Sequence, residues 1–149
     1  MIARLRFLPG MTALVLSLLC GFLWTQEDRL LSFTAAHIGS TLLCLGAPIA
    51  FVLVGRALGC RPDLLKLGAV LLGLAGVPIL TANGIYLFSI RTSVNAAADI
   101  GGVGIALLGW AALLVTSLAC TIGLPLARPT NPEHPTKTDL PTQRQSPVS

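Results

Sequence analysis

Four long apolar stretches, separated by short polar segments, dominate the chain. They cover residues 8–24, 33–54, 67–90 and 100–126. Each is close to or above the roughly 20 apolar residues that a helix needs to cross the hydrocarbon of a bilayer. A backbone inside lipid must satisfy its own hydrogen bonds, so such stretches fold as α-helices. The pattern therefore predicts an all-α protein, with residues 1–127 forming an integral membrane four-helix bundle.

The first stretch has a second interpretation, as the apolar core of a cleaved signal peptide. It follows Arg4 and Arg6, and signal peptides also carry basic residues before their apolar core. No small-x-small cleavage site follows the stretch. Leu19 precedes Cys20 at the position where a lipoprotein signal would have a small residue. We therefore expect an uncleaved helix, and the rival is a cleaved protein with three spans.

The composition changes abruptly after Leu126. Residues 128–149 contain five of the ten prolines, mixed with Thr, Gln, Asn and Ser. A segment of this kind cannot bury enough apolar surface to offset the entropy lost on ordering it. The sequence predicts a disordered cytoplasmic tail.

The distribution of basic residues predicts the orientation. Only Arg29 and Arg91 fall on one side of the predicted spans, and the other eight of the ten Lys and Arg residues fall on the opposite side. Cytoplasmic segments carry the excess of Lys and Arg, so both termini and the segment 55–66 should be cytoplasmic. The aromatic residues expected near the outer interface are Trp24, Phe33, Tyr86 and Phe88.

Five polar side chains lie toward the outer ends of the predicted helices. They are His37, Asn83, Arg91, Asn95 and Asp99. One hypothesis makes them a small polar site open to the outer face, because polar groups within membrane spans are often functional. The other explains most of them separately: His37 and Arg91 as interface residues, Asn83 as an interhelical hydrogen bond and Asp99 as a helix cap. We favour the second interpretation.

The sequence lacks the motifs of the common metal sites and catalytic sets. Its four cysteines form no CxxC pair and have no zinc-type spacing with histidine. His37 is the one histidine in the predicted spans, so two histidines of this chain cannot hold a haem there. The spans carry no Ser/His/Asp set or nucleotide loop. We expect no cofactor, no metal and no enzymatic activity.

The fourth stretch carries small residues at a spacing of four. Ala98, Gly102 and Ala106 would lie on one face of a helix, where they would let another backbone approach closely. Trp110 lies in the middle of the same stretch. Its indole N–H needs an acceptor, so it should face the bundle.

Short motifs in the second half of the chain carry a resemblance. They are Asn83-Gly84-Ile85-Tyr86, Ile100-Gly101-Gly102-Val103 and Gly109-Trp110-Ala111. Together they resemble the YgdD-like family of small four-helix membrane proteins, whose second helix typically opens with a histidine that His37 could match. The chain departs from the family pattern at residues 21–24. The resemblance implies a bacterial inner-membrane protein with no established activity.

The predicted function is that of a non-enzymatic accessory or scaffold protein. Its partners would be the lipid bilayer and either another membrane protein or a second copy of this chain. The alternative is a small transporter, or a lipid- or quinone-binding protein, that uses the five polar residues. Nucleic acid is not expected as a partner, because the basic residues form no patch with interleaved aromatics.

Overall fold

The computed structural model describes residues 5–26, 30–92 and 96–126. For residues 89–92 and 96–100 it describes the backbone alone. The helices are α1 (Leu8–Thr25), α2 (Phe33–Ala57), α3 (Pro62–Thr92) and α4 (Ala96–Leu126). This confirms the all-α fold with four helices. By length and composition, all four are apolar enough to cross a membrane. The predicted tail, 128–149, lies outside the described residues.

Two helices begin earlier than their apolar stretches. α3 begins at Pro62, five residues before the predicted span, because proline suits the first position of a helix and Asp63 complements its N-terminal dipole. α2 continues to Ala57, so the connection between the two helices shortens to residues 58–61 and turns at Gly59, whose φ is +67°. α4 begins at Ala96, which places Asp99 inside the helix and not at its cap.

The four helices form an antiparallel ring in chain order. α1 packs against α2 and α4, and α3 packs against the same two helices. The Cys20 thiol of α1 lies 3.4 Å from the Ser40 carbonyl oxygen of α2, and the Cys44 thiol of α2 lies 3.6 Å from the Gly76 carbonyl oxygen of α3. The connections from α1 to α2 (residues 26–32) and from α2 to α3 (residues 58–61) are short, as is usual when sequential helices are antiparallel neighbours.

Glycines allow close approach where α4 meets its neighbours. A Cβ at Gly109 would lie 2.8 Å from the Pro78 Cβ and 2.9 Å from the Ile79 nitrogen of α3. A Cβ at Gly21 would overlap the Trp110 indole. Gly102 and Ala106 are both buried, while the side chain of Ala98 is outside the described part. The buried face of α4 then continues through Gly109, Leu113 and Ser117, in steps of three and four residues.

The seam between α1 and α4 contains a buried pair of serines. The Ser17 and Ser117 hydroxyl oxygens lie 3.0 Å apart. Each hydroxyl also lies 2.7 Å from a carbonyl oxygen of its own helix, that of Ala13 and that of Leu113. The Trp110 indole N–H donates to the Ser17 carbonyl oxygen at 2.8 Å, which confirms that Trp110 faces the bundle.

Large apolar side chains cover the outside of every helix. Examples, one from each helix in order, are Leu18 (50% exposed), Leu42 (65%), Leu74 (64%) and Leu108 (70%). A soluble monomer rarely exposes apolar patches larger than a few hundred Å². The outer surface of the bundle therefore suits lipid or partner helices better than water.

Candidate functional site

A cluster of polar and aromatic side chains fills the bundle near the connection between α1 and α2. We call it the Asn83 cluster; its members are Trp24, Phe33, His37, Ser40, Thr41, Asn83 and Tyr86. The Ser32 hydroxyl caps α2 by accepting a hydrogen bond from the Ala35 nitrogen. From this start, His37, Ser40 and Thr41 follow at helical spacings of three and four, so they share the face of α2 that meets α3.

Asn83 is the centre of the hydrogen bonds. Its Oδ1 accepts from Trp24 Nε1 at 3.0 Å and from His37 Nδ1 at 2.9 Å. Its Nδ2 donates to Ser40 Oγ at 2.8 Å and to Thr41 Oγ1 at 2.9 Å. A side-chain amide offers two donors and two good acceptor positions, so Asn83 makes all four of its hydrogen bonds. It is 1% exposed and joins three helices.

The two hydroxyls complete the arrangement. Ser40 Oγ donates to the His37 carbonyl oxygen at 3.0 Å, and Thr41 Oγ1 donates to the same oxygen at 2.8 Å. Their protons are therefore directed at α2 itself, and their lone pairs accept from Asn83. Each hydroxyl thus donates one hydrogen bond and accepts another, so no two donors in the cluster face each other.

This pattern of donors fixes the tautomer of His37. An indole N–H can only donate, so the Trp24 contact orients the Asn83 oxygen, and not its nitrogen, toward α1. The same oxygen faces His37 Nδ1, which must therefore carry a proton. In the neutral ring Nε2 then holds the lone pair. His37 is 0% exposed.

Three aromatic rings enclose the His37 imidazole. Tyr86 stacks on it, with centroids 5.0 Å apart and planes at 11°. Trp24 and Phe33 approach edge-on, with centroids 5.0 Å and 4.4 Å away. The sequence predicts these three aromatics near the outer membrane interface, which stays a prediction; the structure shows that they pack on a buried histidine. Phe88, the fourth residue of the expected belt, is 65% exposed.

The structure brings together two of the five predicted polar residues, His37 and Asn83. Arg91 and Asp99 lie on helical backbone whose side chains are not described, and Asn95 lies outside the described residues. The interhelical hydrogen bond expected of Asn83 is confirmed. Sequence reasoning missed Trp24, Ser40 and Thr41. Hydroxyl residues three and four positions after His37 were the available signal, because that spacing places them on the same helix face.

An apolar crevice lies beside the Asn83 cluster, between α1, α3 and α4. Its volume is about 120 Å³. The residues that line it include Cys20, Gly21, Trp24, Ile79, Ala106 and Trp110. Both tryptophans of the chain are among them. Nearly all of its surface is carbon, so the crevice suits an apolar molecule.

Within the described ranges, no group of three or more His, Cys, Asp or Glu side chains could hold a metal ion. Comparisons of the chain with models of known protein families, with curated proteins and with solved structures found no match. A proposal of function therefore rests on the geometry of the described residues.

Proposed function

We propose that this chain is a non-enzymatic, multi-pass protein of a bacterial inner membrane that acts as an accessory or scaffold for a larger membrane complex. The observation that carries the proposal is the contrast between the inside and the outside of the bundle. Inside, Asn83 makes all four of its hydrogen bonds to neighbouring helices, and so offers no amide group to a substrate. Outside, large apolar side chains are available to lipid or to partner helices.

The resemblance to the YgdD-like family supports the same proposal. The residues that carry it fall in two places, because Gly109 and Trp110 lie where α4 meets α3 and α1. His37, Asn83 and Tyr86 meet in the Asn83 cluster, and a Cβ at Gly102 would lie 3.1 Å from the Tyr86 ring.

Both termini are proposed to be cytoplasmic. A fluorescent protein fused after Leu126 should therefore fluoresce, and alkaline phosphatase fused there should be inactive. The same reporters fused after Leu30, in the connection between α1 and α2, should give the opposite result. The physical reason is the excess of Lys and Arg at the end of the bundle that holds residues 55–66. Strong phosphatase activity after Leu126 would contradict this orientation.

The scaffold role predicts a stable complex in mild detergent. The tagged full-length chain, expressed at its native level, should co-purify with a membrane protein in a fixed ratio. A matched variant, Leu108→Ser, removes an exposed apolar side chain from α4 without touching the core and serves to map the contact. Purification of the chain alone, together with specific binding of a solute, would contradict the scaffold role and favour the alternative.

The crevice supports a second candidate function, that of a lipid- or quinone-binding protein. Its lining of Trp24, Ile79, Ala106 and Trp110 is apolar and lies between helices, where small-molecule sites of helical bundles commonly occur. Transport of a polar solute is less well supported, because a solute at Asn83 would have to break hydrogen bonds that are already made.

A further inference from the structure

We infer that the crevice between α1 and α4 holds a segment of a lipid acyl chain, from the leaflet nearest the connection between α1 and α2. The inference rests on the proposed location in a membrane and gives the second candidate function a specific site. It commits to a bilayer lipid as the occupant. The isoprenoid tail of a quinone, which shares the apolar chemistry, is the rival that the experiment must separate.

The polar groups of the lining are already engaged. Trp24 Nε1 donates to Asn83, and Trp110 Nε1 donates to the Ser17 carbonyl oxygen. The Cys20 thiol is directed at the Ser40 carbonyl oxygen. No charged side chain is among the described residues that line the crevice. A polar ligand would have to give up its hydrogen bonds to water or lipid headgroups without replacement, whereas a hydrocarbon chain gives up none.

Among the described residues, the polar part of the crevice rim lies at the end of α1. Thr25 also lines it, and its hydroxyl donates to the Phe22 carbonyl oxygen while accepting from the Gln26 amide. Thr25 ends α1, so this rim lies toward the proposed headgroup level. The opposite end, at Trp110, lies in the middle of α4. A chain that enters at Thr25 and descends toward Trp110 follows the direction of a lipid tail.

The size and the surroundings fit a short stretch of chain. A dry cavity of about 150 Å³ can hold a benzene ring, so 120 Å³ leaves room for a few chain carbons. The crevice is continuous with the apolar outer surface through Leu107, which lines it and is 55% exposed. An empty crevice would leave the lining atoms without contacts, and a flexible chain supplies them.

The two tryptophans make the occupant measurable. Trp24 and Trp110 are the only tryptophans of the chain, and both line this crevice. A second apolar crevice, beside Phe51 and Cys120 at the other end of the bundle, has no tryptophan in its lining. Quenching of intrinsic tryptophan fluorescence by a heavy atom on the acyl chain therefore reports on the first crevice and not on the second.

The experiment compares filled and unfilled crevices in vesicles of phosphatidylcholine and phosphatidylglycerol whose acyl chains are brominated at mid-chain or unmodified. Ala106→Val and Ala106→Leu fill the crevice stepwise from α4. Ala111→Leu adds the same carbons at an exposed position of the same helix and is the matched control. Quenching by brominated lipid should fall from the parent to Ala106→Val to Ala106→Leu, with about half of it lost in the last because contact quenching and packing are both short-range. Ala111→Leu should quench like the parent.

Two results would overturn the inference. Equal quenching in the parent and both Ala106 variants would show that no chain enters the crevice. The second result is that brominated lipid does not quench the tryptophan fluorescence, whereas a quinone loaded into the vesicles quenches the parent more than Ala106→Val. That result would assign the site to the quinone. If Ala106→Leu does not fold, Ala106→Val against the parent decides the question. Flotation with the vesicles separately tests the membrane location: a parent protein that does not float would overturn the proposed function itself.

Discussion

Replacing Asn83 with leucine should lower the free energy of unfolding by about 2–3 kcal/mol, since one buried and one half-buried donor lose their acceptor at roughly 1 kcal/mol or more each. The donors are Trp24 Nε1 and His37 Nδ1, which share the Asn83 oxygen. Leucine has the same branching as asparagine and cannot accept a hydrogen bond. The measurement is unfolding of the helical signal in mixed micelles. This substitution should be among the most damaging single changes in the bundle, because it disconnects three helices at once.

The control is Thr81→Val, a polar-to-apolar change on the same helix. The Thr81 hydroxyl is exposed and donates to the Val77 carbonyl oxygen of its own helix, so its loss should change stability by under about 0.5 kcal/mol. Trp24→Phe completes a double-mutant cycle. Removing the indole donor should be less harmful in the Asn83→Leu background than in the parent, because the donor is already unpaired there.

A second readout follows the His37 ring directly. In ¹⁵N-histidine spectra, the parent should show a proton on His37 Nδ1, and Asn83→Leu should change that signal while Thr81→Val leaves it unchanged. An Asn83→Leu variant as stable as the parent, with an unchanged histidine signal, would contradict the hydrogen-bonded centre described here.

Gly109→Ala should destabilise the bundle by about 1–3 kcal/mol, the usual range for overpacking a close contact. The added methyl group would lie 2.8 Å from the Pro78 Cβ and 2.9 Å from the Ile79 nitrogen. Neither atom can turn away, because one belongs to a proline ring and the other to the backbone. α3 and α4 would have to separate along their contact, which removes van der Waals packing that lipid does not replace. Unfolding in mixed micelles again gives the measurement.

Gly104→Ala is the matched change on the same helix. A Cβ at Gly104 meets nothing within 4 Å. Alanine there should leave stability unchanged or raise it by up to about 1 kcal/mol, the difference in helix propensity between the two residues. If Gly104→Ala proved the more harmful of the two, the face of α4 that packs on α3 would be assigned incorrectly.

The number and class of the elements could be predicted from sequence, because a helix that can cross lipid requires a long run of apolar residues. The ends of α3 could not be read from hydropathy in the same way. Pro62 and Asp63 are signals for the start of a helix, but they precede the apolar run. They also lie within the segment 55–66, which its basic residues led us to interpret as a loop. Hydropathy locates the lipid-facing part of a helix, and capping residues locate its ends.

The Asn83 cluster was only half predictable. His37 and Asn83 were identified as polar residues near the same ends of their helices, but they are 46 positions apart and their contact depends on how α2 and α3 are rotated about their axes. Trp24 was assigned to the interface because tryptophan is common there. Its indole N–H also donates to a side chain of α3, an interaction that no single-helix pattern encodes.

The serine pair at the seam between α1 and α4 has a consequence for proton arrangement. Three short contacts surround the pair: Ser17 Oγ to the Ala13 oxygen, Ser117 Oγ to the Leu113 oxygen, and one hydroxyl to the other. Two hydroxyls supply only two protons, so the three contacts cannot all be hydrogen bonds at the same moment. At any moment one of the three contacts is without a proton, and rotation of a hydroxyl would move that vacancy to another contact. Where α1 meets α4, the hydroxyl protons can therefore be arranged in more than one way, whereas the fully bonded amide at Asn83 permits one arrangement of its protons.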